Sequence, residues 1–82
     1  MYLAKVYISL KPTVNDPQGL TIKGALHNLG FTEVSSVRSG KYMEVKLNVD
    51  GQDRAWEQVN QMCSKLLANP VIENYTFELK EI

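Results

Sequence analysis

From Tyr2 to Leu10 every even-numbered residue is apolar (Tyr2, Ala4, Val6, Ile8, Leu10), while Leu3, Lys5, Tyr7 and Ser9 between them are mixed. A period of two predicts a strand with one buried face and one mixed face. Such a strand needs partners and a cover, and the chain has only 82 residues in which to supply them. That length allows a single domain over 1–82, and a compact fold of this size has a radius of gyration of about 12 Å. A core so small seldom supplies more than about 3–5 kcal/mol without disulfides, a metal or oligomerisation. Cys63 is the only cysteine and His27 the only histidine. An intrachain disulfide is therefore impossible, and a structural zinc site normally wants four such ligands. A homo-oligomer, dimeric or higher, is the support that remains.

The rest of the chain reads as further elements of the same size. Asp16 and Pro17 suit the N-cap and first position of a helix. Ile22, Ala25, Leu26 and Leu29 follow at i, i+3, i+4 and i+7, and Gly30 suits a left-handed stop. Phe31–Arg38 and Lys41–Val49 read as a hairpin turning at Ser39-Gly40. A two-residue loop would pair Val34 with Val45, Ser36 with Met43, Val37 with Tyr42 and Glu33 with Lys46. A second helix starts at Asp50 or Gln52, with Ala55, Val59, Met62, Cys63 and Leu66 as its stripe and Trp56 and Leu67 at the margins. Asn69 can adopt the left-handed conformation that ends it, and Pro70 forbids continuation. Tyr75, Phe77 and Leu79 then share one face of a last strand. The predicted fold is α+β in βαββαβ order: a four-stranded antiparallel sheet with two helices on one face, the ferredoxin-like pattern. Leu3, Tyr7, Val37 and Tyr42 are expected on its open face, which is too apolar for plain solvent and suits a partner sheet or subunit.

Nine Lys and Arg balance nine Asp and Glu. Nucleic-acid modules usually carry a basic excess, and membrane-surface proteins a basic amphipathic face. Neither pattern occurs, so no nucleic acid and no membrane are expected as partners. The N-terminus lacks a basic segment followed by an apolar one, and a lone thiol suits a reducing compartment, so a cytoplasmic protein is expected.

No side-chain constellation calls for catalysis. His27 sits beside the first stripe near a helix C-terminus, where an imidazolium suits the dipole without any substrate. Cys63 lies late in an apolar stripe, away from the helix N-terminus or cation that would activate a thiol. The carboxylates alternate outward or sit at helix starts, and the glycines form no phosphate loop. The expectation is no catalytic residue, no metal site and no cofactor bound by this chain.

Four segments then resemble one family in order. Met62-Cys63-Ser64-Lys65-Leu66-Leu67-Ala68-Asn69-Pro70-Val71-Ile72-Glu73-Asn74-Tyr75 is similar to the signature of PurS, the small subunit of bacterial and archaeal phosphoribosylformylglycinamidine (FGAM) synthase. Lys11-Pro12-Thr13-Val14-Asn15-Asp16-Pro17-Gln18-Gly19 resembles the family's first loop and helix start. Ala25–Phe31 resembles its helix exit, and Val37-Arg38-Ser39-Gly40-Lys41 its hairpin. The resemblance implies a non-catalytic bridging role. PurL binds ATP, with Mg, and formylglycinamide ribonucleotide; PurQ hydrolyses glutamine; and PurS joins them as a dimer and assists ammonia transfer. Lys11, Asp16, Arg38, Lys41 and Asn69, the polar residues of the matching loops, are the candidate partner interface.

Two readings compete with this one. An RNA-binding module of RRM-like topology would stack bases on Tyr7 and Tyr42, against the balanced charge. An acylphosphatase-like enzyme would need a phosphate-cradling arginine loop after the first strand, where only Lys11 stands.

Overall fold

A computed structural model describes residues 1–82. Its order is β1 (Tyr2–Leu10), α1 (Pro17–Asn28), β2 (Gly40–Leu47), α2 (Gln52–Met62, continued by a π-helical turn over Cys63–Leu67) and β3 (Glu73–Glu81). No helix is long and apolar enough to cross a membrane.

β1 is the middle strand of a three-stranded antiparallel sheet ordered β2-β1-β3. Ala4, Val6 and Ile8 pair with Val45, Met43 and Lys41 on one side, and with Leu79, Phe77 and Tyr75 on the other. The alternation in β1 places Ala4, Val6 and Ile8 in the core, where Ala4 and Val6 have no exposed surface. α2 covers this face with Ala55, Val59 and Cys63, all fully buried. Trp56 packs its ring 5.7 Å from that of Phe77. The Tyr75 hydroxyl donates to Asn60 Oδ1 at 2.7 Å, so a polar tip within the packed layer keeps a partner.

The expected four-stranded sheet with two helices on one face does not form. Residues 31–38 pair with no strand, so β2, beside β1, stays an edge strand without the partner expected on its other side. Val45 and Met43 face the core as expected, but they pair with Ala4 and Val6 rather than Val34 and Ser36. The reason lies at both ends of the 31–38 segment. Its start is held to α1: the Phe31 amide donates to Leu26 O at 3.0 Å, and His27 Nε2 lies 2.8 Å from Val34 O. Its end is held at the N-terminus of the same helix by Asp16, described below. Both anchors hold the segment to α1.

α1 also departs from the expected layer. Asp16 caps it through the Gly19 amide at 3.0 Å, Pro17 occupies the first turn, and Gly30 follows with φ 101°, as the sequence suggests. Yet α1 stands off the sheet rather than on it. Ile22 and Leu29 of its stripe are exposed, Leu29 by 73 %. The molecule is accordingly elongated, 50 × 27 × 14 Å, with a radius of gyration of 16.3 Å against about 12 Å for a compact chain of this length.

The exit of α2 holds a second departure. The Ala68 amide donates to Cys63 O at 2.9 Å, five residues back, which widens the last turn into a π-turn. One extra residue per turn carries Leu66 off the stripe to 82 % exposure, while Ala68 is buried and Leu67 packs on the core. Asn69 does not adopt the left-handed conformation, since no residue other than glycine has a positive φ. Its side chain instead makes a local turn, with Oδ1 accepting from the Val71 amide at 3.0 Å.

Candidate functional site

The end of the sheet where β1 stops and β2 begins gathers most of the polar residues of the matching loops. Asp16 is the centre. It is 4 % exposed, and such a buried carboxylate needs partners for its lone pairs. Its Oδ1 accepts from Gly19 N and its Oδ2 from the Ser39 amide at 2.7 Å. The Ser39 hydroxyl lies 3.2 Å from Oδ2 and 3.3 Å from Gln18 Oε1. These backbone N–H groups, Ser39 first and Gly19 second, hold the Asp16 carboxyl below the usual carboxylate range, with the nearby Arg38 guanidinium adding to them. The fit is close because residue 19 has no side chain: a Cβ there would stand 2.1 Å from Val37 O.

Arg38 extends the cluster toward β1, its Nη2 donating to Lys11 O at 3.0 Å. On the other side, Lys41 Nζ lies 3.3 Å from Glu73 Oε2. Glu73 Oε1 accepts from the Asn69 amide at 2.7 Å. That amide, and secondarily Lys41, draws the Glu73 carboxyl below its ordinary range. The Lys11 amide donates to Ile72 O at 2.8 Å, which ties the two halves together. Lys11, Asp16, Arg38, Lys41 and Asn69 thus lie at one end of the molecule, in two connected groups. Ile8, Asp16, Ser39, Gly40, Lys41 and Glu73 line a shallow cleft between them.

Two members of this arrangement escaped the sequence reading. Ser39 looked like a turn residue, and its partner Asp16 lies 23 positions away, beyond any local pattern. Glu73 looked like an outward strand residue; its role depends on the turn at Asn69.

The open face of the sheet carries three of its four expected residues. Tyr7 and Tyr42 are cross-strand partners with ring centroids 5.2 Å apart. Leu3 is half-buried, beside Lys46 and Lys80. Val37 is elsewhere, against Gly19 of α1, because its segment is not a strand. The Tyr42 hydroxyl donates to Glu44 Oε2 at 2.8 Å, and this bond pushes its ionisation up to about 12. Glu44 and Glu78 flank Lys5 across the middle of the face.

Of the other reactive groups, Cys63 is fully buried and its thiol is pushed up by desolvation, the opposite of an activated nucleophile. His27 is spent on Val34 O. No group of three or more His, Cys, Asp or Glu side chains is placed to hold a metal ion.

The family model described as PurS, phosphoribosylformylglycinamidine (FGAM) synthase, matches residues 3–81. The chain belongs to the PurS family. The PurS subunit of Bacillus subtilis strain 168 is 51% identical over 83 residues, covering 100% of this chain and 96% of that one. The Methanocaldococcus jannaschii subunit is 42% identical over 82 residues, covering 100% and 99%. Among solved structures, the C2 crystal form of B. subtilis PurS superposes with a TM-score of 0.88 at 49% identity, over 99% of this chain and 100% of that one. A chain in the structure of PurLQS from Thermotoga maritima superposes with a TM-score of 0.86 at 27% identity, over 98% and 99%. The three-stranded sheet and elongated outline are therefore those of PurS proteins, and the ferredoxin-like expectation gives way to them.

Proposed function

We propose that this chain is the non-catalytic bridging subunit of FGAM synthase, joining PurL to PurQ and assisting ammonia transfer between them. The observation that carries the reading is the end-to-end likeness to a chain of the T. maritima PurLQS structure. Ammonia that escapes to water is protonated and lost as a nucleophile, so its path must be enclosed by docked surfaces. A bridging part supplies shape and closure, while ATP and Mg are handled by PurL. In this reading the sheet end built on Lys11, Asp16, Arg38, Lys41 and Asn69 meets the enzyme subunits. Its charged side chains are held in place by the Asp16–Ser39 and Lys41–Glu73 contacts, and fixed charges favour register and orientation in a protein contact. The chain works in the cytoplasm as a homodimer or larger homo-oligomer.

Mixing experiments test this. PurL and PurQ, with ATP, Mg2+ and glutamine, are expected to run as separate species in size-exclusion chromatography until this chain is added, and then as one. A PurL–PurQ complex of the same stability formed without it would remove the bridging role.

A further inference from the structure

α1 and the 31–38 segment are braced together at two points. His27 Nε2 lies 2.8 Å from Val34 O at one end, and Asp16 accepts the Ser39 amide at the other. Lys23 stands on the helix midway between them, one turn from both Gly19 and His27. There Asn15, Leu20, Lys23, Ser35, Ser36 and Arg38 line a cavity of about 150 Å3.

The polar walls of this cavity are mostly donors with nothing in the chain to receive them. Lys23 is half-buried, yet the one ion pair of the molecule is that of Lys41 with Glu73. Arg38 spends a single nitrogen on Lys11 O, which leaves most of its five N–H donors free. The hydroxyls of Ser35 and Ser36, and the backbone amides of residues 35–38, meet no acceptor in the protein. Asp16 also borders the cavity, but Gly19 and Ser39 occupy both of its oxygens. A half-buried ammonium is ordinarily paired. Two cations on one small cavity repel each other unless an anion lies between them.

We propose that this cavity binds a phosphoryl group, as inorganic phosphate or as the phosphate of a small monoester. Its donors come from two elements, an ammonium on α1 facing hydroxyls and a guanidinium on the 31–38 segment. That spread suits a tetrahedral anion with acceptors on every side better than a planar carboxylate, and Arg and Lys are the side chains that hold phosphate. The cavity is smaller than the roughly 300 Å3 at which pockets begin to enclose a drug-sized ligand. The phosphoryl group therefore fills it, and the body of a monoester stays outside. A bound group would link Lys23 to Ser35 and Ser36 as a third brace between the two already present.

Titration of the 15N-labelled whole chain with sodium phosphate, against sodium chloride of equal ionic strength, tests this in 1H–15N correlation spectra. The amides of Ser35, Ser36 and Arg38 are expected to shift saturably with phosphate and not with chloride. Lys23→Gln keeps most of the side-chain stem and removes the charge, and it is expected to weaken binding about tenfold. Ser36→Ala, at an exposed position outside both braces, gives the same reading should Lys23→Gln disturb the fold. Lys65→Gln, at the exit of α2, is expected to leave binding unchanged. Ribose 5-phosphate separates the two sources: tighter binding than inorganic phosphate assigns the cavity to a monoester, and weaker binding to free phosphate. The proposal is overturned if phosphate leaves the spectrum unchanged or if chloride reproduces its shifts. Phosphate shifts that persist at full strength in both Lys23→Gln and Ser36→Ala overturn it equally, since the anion then binds elsewhere.

Discussion

The Asp16 carboxylate accepts the backbone amide of Ser39 at 2.7 Å while its other oxygen caps α1 at Gly19. One buried side chain thus fixes both the start of the helix and the return of the 31–39 segment. Breaking it should loosen the whole excursion between β1 and β2 while the sheet persists. Asp16→Ala is expected to lower the melting temperature and to lose amide-exchange protection at Gly19, Leu20 and Ser39, with β1 amides still protected. Protection at Ser39 equal to wild type would show that the clamp is dispensable.

The same group has a pH signature. Its pKa in the folded chain is lowered by N–H donors, so its stabilising effect is complete above the ordinary carboxylate range. That effect fades as pH falls through the folded value. Lowering the pH below about 4 should therefore open the Ser39 amide to exchange in the wild type. In Asp16→Asn, which has no carboxylate to protonate, that pH step should be absent.

The π-turn inverts what the helical pattern implies about two adjacent leucines. On a regular helix Leu66 continues the stripe of Val59, Met62 and Cys63, and Leu67 lies at its edge. In the structure Leu66 is 82 % exposed and Leu67 packs on the core. Leu66→Ala should therefore change unfolding free energy by less than about 0.5 kcal/mol. Leu67→Ala should cost about 1–2 kcal/mol, less than a fully buried leucine. Urea denaturation of the two variants separates the patterns, and the opposite ranking would mean that α2 ends as a regular helix.

How far the sequence could be read follows from the range of the interactions involved. β1, β3 and the start of α2 were legible because a two-residue or 3.6-residue repeat records their burial directly. The cap at Asp16 and the stop at Gly30 were legible because both are decided within three or four residues. Phe31–Arg38 misled because its composition suits a strand while its anchors are distant: Asp16 is 23 positions from Ser39. The apolar stripe of α1 suggests a helix packed on the sheet, but Ile22, Ala25 and Leu29 stay exposed, because a stripe records periodicity and not what covers it. Of the candidate residues, Lys11, Asp16, Arg38, Lys41 and Asn69 share one end of the fold, whereas Val37 left the open face with its segment.

Cys63 offers a check on the absence of thiol chemistry. It is fully buried against the sheet and its ionisation is pushed up by desolvation. Cys63→Ala should lower stability by about 1–3 kcal/mol through the cavity it leaves, and it should preserve FGAM synthase activity in the reconstituted complex. A well-folded Cys63→Ala protein that abolishes activity would mean that the thiol takes part directly.

In the proposed role this chain lets ammonia made by PurQ reach PurL. The direct measurement is the rate of FGAM formation by PurL and PurQ, with glutamine or with a high concentration of ammonium salt, in the presence and absence of this chain. Ammonium is expected to support PurL either way, while glutamine is expected to support it only when this chain is present. Full glutamine-dependent activity from PurL and PurQ alone would contradict it.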